Sequence, residues 1–302
     1  MTSVIEWFER PTLVDPVLLV MLTGWIDTSG VAAAAIAAIE SECTAHTIAR
    51  FDRDTFIDYR ARRPTMFIRD GVNSELVWPD IDLKVGHDSE GHDFLILSGH
   101  EPDAAWERFA AAVTEAATSL GVVKMIGLGA YPFASPHTRP ARLSTTSPDA
   151  DLSSELPYLR NSVDVPAGVS AVLEHALHAI GIPSLTLWAQ VPHYVSSMAY
   201  PAASAALVDA VRRTGGLSLT GNMLRSEAIM QNQRLDDLIA ANDDHAKMLR
   251  QLEQAYDAQL SSSIESTHPS LADGVPMNAD ELPSGDELAA ELEQFLRDQG
   301  PS

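Results

Sequence analysis

Between the N-terminus and about Gly216, short apolar runs alternate with stretches of helical periodicity. The run Val17-Leu18-Leu19-Val20-Met21-Leu22, set between Pro16 and Gly24, is nearly continuous, as a strand covered on both faces requires. Asp27-Thr28-Ser29 then offers helix N-cap chemistry ahead of the Ala-rich run Val31 to Ile39. The alternation recurs with a strand over Asp93 to Ser98, a helix over Pro102 to Leu120 and a strand over Val122 to Leu128. It recurs once more with a helix over Val169 to Ile180, a strand over Ser184 to Gln190 and a helix over Pro201 to Arg213. This βαβ rhythm predicts an α/β fold, a mixed, mainly parallel sheet flanked by helices.

From Gly221 onward the pattern is helical without strands. Leu235, Leu238, Asn242, His245, Leu249, Leu252 and Tyr256 follow 3–4 spacing, as one face of a long helix or of a helical hairpin, with Asn242 and His245 interrupting the apolar seam. Packing against the α/β body and pairing between chains both fit that seam. The stretch from Ser261 to Gly285 is rich in Ser, Pro, Asp and Gly and reads as a linker. Beyond it, Leu288, Leu292, Phe295 and Leu296 share one face of a short amphipathic segment that either docks back on the body or receives a partner. The expected organisation is an α/β domain over residues 1–220, a helical extension over 221–260, and an acidic linker with a short amphipathic tail over 261–302.

Composition narrows the function. The chain of 302 residues is 45% apolar, enough for a large core without disulfide or metal staples. Its 20 basic and 42 acidic residues give a net charge of −22, which disfavours nucleic acid or an anionic membrane as partner, since both need clustered Lys and Arg. No apolar run approaches a membrane span, and the start lacks a signal-peptide pattern, so a cytoplasmic location is expected. Cys43 is the only cysteine, which excludes an internal disulfide and a Cys-based zinc site. His175 and His178 stand three apart on an expected helix with no acid beyond Glu174 beside them, and no metal or cofactor is assigned. There is no P-loop, no nucleophile elbow and no H-E-x-x-H motif, and Gly127-Leu128-Gly129 lacks the third glycine of a dinucleotide fingerprint.

In open α/β sheets ligands collect beyond the carboxyl ends of the strands. The residues expected there are Gly24, Trp25 and Asp27; Glu101 and Asp103; His137 and Arg139; and His193 and Tyr194. His137 and His193 suit general acid–base work near neutral pH, and Arg139 with the helix start at Thr28 to Gly30 suits an anion. The same residues also fit as scaffolding, because Pro132, Pro136, Pro140 and Pro192 fix turns and His and Asp satisfy nearby backbone. Local sequence leaves both open.

Five ordered segments resemble the proteasome assembly chaperone family, in its type-2 branch as found in actinobacteria. They are Leu22-Thr23-Gly24-Trp25-Ile26-Asp27; Phe51-Asp52 with Asp58-Tyr59-Arg60-Ala61-Arg62-Arg63-Pro64; Gly99-His100-Glu101-Pro102-Asp103 with Trp106 and Phe109; Gly127-Leu128-Gly129-Ala130 with Pro136-His137-Thr138-Arg139-Pro140; and Trp188 to Val195 with Pro201-Ala202. They cover about residues 10 to 215. The resemblance implies a nucleoside-phosphorylase-like fold and a role related to assembly of the proteasome core particle. Archaeal relatives dock through a C-terminal hydrophobic-Tyr-any motif. This chain has no tyrosine after Tyr256, so the resemblance implies that any docking here uses another surface. Three readings stand: a non-enzymatic interaction or assembly protein with proteasome core subunits among its partners; a small-molecule binder or enzyme using the strand-end cleft; and a self-assembling body, a homo-oligomer for which a trimer is favoured.

Overall fold

The computed structural model describes residues 3–160 and 162–265. The acidic linker and amphipathic tail therefore lie outside the described residues, apart from the helical backbone through Glu265. In chain order the elements are β1 (Ile5–Trp7), β2 (Val17–Thr23), α1 (Val31–Cys43), β3 (His46–Phe51), α2 (Arg53–Phe56), β4 (Thr65–Arg69), β5 (Val72–Val77), β6 (Ile81–His87) and β7 (Asp93–His100). They continue with α3 (Trp106–Ser119), β8 (Lys124–Phe133), β9 (Leu143–Thr146), α4 (Ala150–Glu155), α5 (Val169–His178), β10 (Ser184–Pro192), α6 (Pro201–Gly215), α7 (Asn222–Ala240) and α8 (Asp243–Glu265).

Eight strands form one mixed sheet in the order β1-β3-β6-β7-β2-β8-β10-β9, and β4–β5 form a separate two-stranded sheet. The four central strands β7, β2, β8 and β10 run parallel. The flanks are antiparallel: β6, β3 and β1 on one side, β9 on the other. The four parallel strands are the four that the apolar runs predict. Alternate residues of β2 feed two separate cores, as the period of a strand covered on both faces dictates. Val17, Leu19 and Met21 pack under α1, α6 and α7. Leu18 and Val20 pack under α3 and α5, beside an aromatic cluster in which Phe109 lies 4.8 Å from Phe51 and 5.2 Å from Phe56.

One helix starts later than expected, and the seam after Gly221 takes one of its two expected forms. The helix expected from Pro102 begins only at Trp106, because Ala105 takes a left-handed backbone (φ +56°) that breaks the first turn. The long seam after Gly221 is a helical hairpin. Asn242, one of its two polar interruptions, caps α8 by accepting from the backbone N–H of Asp244 and His245.

Candidate functional site

The loop after β2 runs to α1 on one face, and the loop after β7 runs toward α3 on the other, so the crevice between those strand ends is the topological switch point. Glu101 fills it. Its backbone N–H donates to Thr23 O at 2.7 Å, and its carboxylate accepts from the Val169 N–H at 2.5 Å, at the start of α5. A negative group at a helix N-terminus is favourable, so Glu101 takes the position an anionic ligand would use there. Gly24 and Gly168 are needed for this closeness: a Cβ on Gly24 would lie 3.0 Å from Arg62, and one on Gly168 would lie 2.7 Å from the Trp25 ring. Arg62 pairs with Asp103 at 3.1 Å, and Asp103 also accepts from the Asp58 N–H at 2.9 Å. The Arg62 Nε is buried with no hydrogen-bond partner among the described residues, and the Trp25 ring above remains partly exposed. His100 bonds Thr23 at 3.0 Å, and burial, with Arg62 adjacent, lowers its pKa.

Asp27 follows β2 and pairs with Ala130 of β8 in an isolated parallel bridge. Its carboxylate accepts from the N–H of Ala32 at 2.7 Å and of Ala33 at 3.0 Å, so it caps α1 from across the turn. Burial raises its pKa against the pull of those amides. The N-terminus of α1 is thereby satisfied by the chain itself.

His137, His193 and Tyr194 form a second group. The Tyr194 hydroxyl accepts from the His137 backbone N–H at 2.7 Å and lies 2.8 Å from Nδ1, while His137 Nε2 lies 3.1 Å from Asp236 on α7. With the hydroxyl already accepting, the consistent arrangement is Tyr194 O–H donating to Nδ1 and Nε2–H donating to Asp236. Both imidazoles stack edge-on to Tyr194, at 5.9 and 5.5 Å. Burial lowers both histidine pKa values and raises that of Tyr194, so the group is uncharged at neutral pH.

Arg139 turns away from that group. It forms a bidentate pair with Asp257 (2.9 and 2.7 Å) and a contact with Glu253 at 3.3 Å, both on α8, while Thr138 donates to Glu253 at 2.6 Å. Tyr256 donates to Pro140 O at 2.9 Å, and its ring lies under the Arg142 guanidinium at 4.0 Å. The loop after β8 is thus the seat of the helical hairpin. The structure brings Gly24, Trp25, Glu101 and Asp103 together, and separately His137, His193 and Tyr194. It does not bring Arg139 to either group.

Two features escaped the sequence reading. Glu174 on α5 is buried, accepting from Thr186 and, at 3.2 Å, from Thr146, and burial pushes its pKa up to about 7. Gly127 and Gly129 make room for β10: a Cβ on either would come within 2.3 Å of Thr186 or 2.4 Å of Trp188. Among the described residues no group of three or more His, Cys, Asp or Glu side chains is placed to hold a metal ion, and no helix is long and apolar enough to cross a membrane.

The chain matches the family model of the PAC2 family over residues 21–239. A Mycobacterium tuberculosis protein of unknown function superposes with a TM-score of 0.79 at 33% identity, covering 88% of this chain and 92% of its own. A Mycobacterium tuberculosis proteasome-assembly chaperone homologue superposes at 0.72 with 28% identity, covering 77% of this chain and 99% of its own. An archaeal proteasome activator from Pyrococcus furiosus shares the fold, at 18% identity and a TM-score of 0.60, covering 78% of this chain and 97% of its own. No curated protein matches the sequence. A match over residues 21–239 and neighbours of this similarity place the chain in the PAC2 family.

Proposed function

We propose that the chain is a non-enzymatic, assembly-chaperone-like protein that works in the cytoplasm by binding protein partners, proteasome core subunits among them, and that it does so as a homo-oligomer, a trimer by preference. The observation that carries this reading is the occupation of the strand ends by the chain's own groups. Glu101 and Asp27 hold the two helix N-termini, while His137 and Arg139 are bonded to the helical hairpin. Side chains saturated in this way position elements instead of meeting a substrate. The named role of the mycobacterial chaperone homologue supports the same direction. The test uses the tagged full-length chain as bait in an actinobacterial lysate, with core-particle α subunits quantified by mass spectrometry. Enrichment that survives moderate salt is expected. Recovery of the chain alone would overturn the proteasome partner.

A second reading, a small-molecule site at the switch point, is favoured by one observation: the partnerless Arg62 Nε beside the exposed Trp25 ring. A Trp25→Ala variant that loses a ligand-induced rise in melting temperature, with unchanged melting when unliganded, would move the weight there.

A further inference from the structure

The β4–β5 hairpin is not hydrogen-bonded to the main sheet. Its turn is Asp70-Gly71, both left-handed (φ +49° and +78°), as a two-residue hairpin turn requires. It exposes apolar side chains rather than hiding them: Met66 and Leu76, cross-strand partners, are 49% and 45% exposed, and Ile68 and Val72 are 52% and 63% exposed. A lone hairpin is marginal in water, and contiguous exposed apolar surface on a soluble chain marks an interaction site. Its approach is also basic. Arg60, Arg63 and Arg69 are exposed and form no ion pair among the described residues, in a chain whose net charge is −22.

The same molecule carries an unfilled counterpart. Between α3 and α5 runs an open groove of about 890 Å³ lined by Ala110, Ala111, Val172 and Ala176 and flanked by Glu107 and Glu115. Small side chains leave room there for a neighbour's larger ones, and the rim has the sign opposite to the hairpin's arginines. We infer that the hairpin of one copy inserts into the α3–α5 groove of a second copy, with Met66, Ile68 and Leu76 on the alanine floor and the arginines against Glu107 and Glu115. This deepens the self-association reading above and rests on it. The charges also choose the mode. A hairpin-to-hairpin contact would set arginine against arginine, whereas a hairpin-to-groove contact sets arginine against glutamate, and repeated head to tail that contact makes a ring when the rotation between copies closes.

The test is sedimentation velocity on the full-length chain, on Ile68→Asp and on Ala111→Arg, with circular dichroism to show that each is folded. The native chain is expected to assemble, and each variant alone to dissociate with an affinity lowered on the order of 100-fold, since each sets a charge in an apolar contact. An equimolar mixture of the two variants is expected to stop at a dimer, because only one intact hairpin and one intact groove can meet. If Ile68→Asp fails to fold, Arg69→Glu replaces it: weakened assembly restored by adding Glu115→Arg supports the contact, and no restoration counts against it. Assembly that persists in both variants, or a mixture that stays monomeric while the native chain assembles, overturns the hairpin–groove contact and leaves self-association standing. A native chain that stays monomeric at tens of micromolar overturns both.

Discussion

Glu174 lies between α5 and the sheet, where its carboxylate accepts from the hydroxyls of Thr186 and Thr146. Its pKa rises from 4.5 to about 7 because burial penalises the charged form. The folded state therefore keeps the proton while the unfolded chain releases it. The stability this group contributes is complete below pH 4.5 and is lost as pH rises to about 7, by about 3 kcal/mol across the window. Glu174→Gln, which stays neutral, is predicted to gain stability relative to the native chain between pH 5 and pH 8. Urea unfolding at the two pH values reads this, and a constant difference would contradict it. Gly99 makes a second case. It sits at φ +129°, where a Cβ would lie 2.2 Å from the Asp80 carbonyl oxygen. Gly99→Ala is predicted to cost about 2–4 kcal/mol, through strain and overpacking, at the end of β7 that leads into Glu101. A loss under 1 kcal/mol in the same assay would contradict that reading.

Among elements, α8 is held both by core contacts and by polar contacts to one loop. Leu252 and Tyr256 are buried, Ala246, Met248 and Leu249 pack half-buried against the core, and Arg139, Arg142 and Thr138 tie the helix to the loop after β8. Arg139→Ala is predicted to speed amide exchange across residues 250–260 while exchange in β2 and β8 stays as in the native chain. Faster exchange throughout the sheet, or none anywhere, would contradict a local anchoring role. This anchoring was not legible in the sequence, because Arg139 and Asp257 are far apart along the chain and no local pattern links them. The central strands were legible, since Val17 to Leu22 is apolar on both faces and Leu185 to Ala189 is interrupted only by Thr186. The flanking strands left a fainter trace. Ile81-Asp82-Leu83-Lys84-Val85 alternates with period two, its apolar residues buried and its charged ones half-buried, which is a half-covered strand and not a continuous run. Asp70-Gly71 is likewise a hairpin signal whose flanking residues, Arg69 and Val72, do not alternate cleanly. Of the candidate site, the placement at strand ends followed from the βαβ rhythm. The division into two groups did not, because it depends on where the loop after β8 meets α7 and α8.

At the scale of the whole molecule, a charge of −22 confines attraction to the few places where basic groups are unpaired or a partner is itself basic. The helix N-termini at the strand ends are closed by Asp27 and Glu101, and large exposed apolar side chains stand on the β4–β5 hairpin and on α7, where Met223, Ile229 and Met230 face outward. Cleft groups tied inward, with some apolar side chains left exposed outside the two cores, are what the proposed protein-binding role requires. The most direct measurement is native mass spectrometry of the full-length chain mixed with purified actinobacterial core-particle α subunits, before and after β subunits are added. A complex of fixed stoichiometry with α subunits, disappearing as complete particles form, is the expected result. Only free chain and free α subunits at every concentration, with particles forming at the same rate whether or not the chain is present, would contradict it.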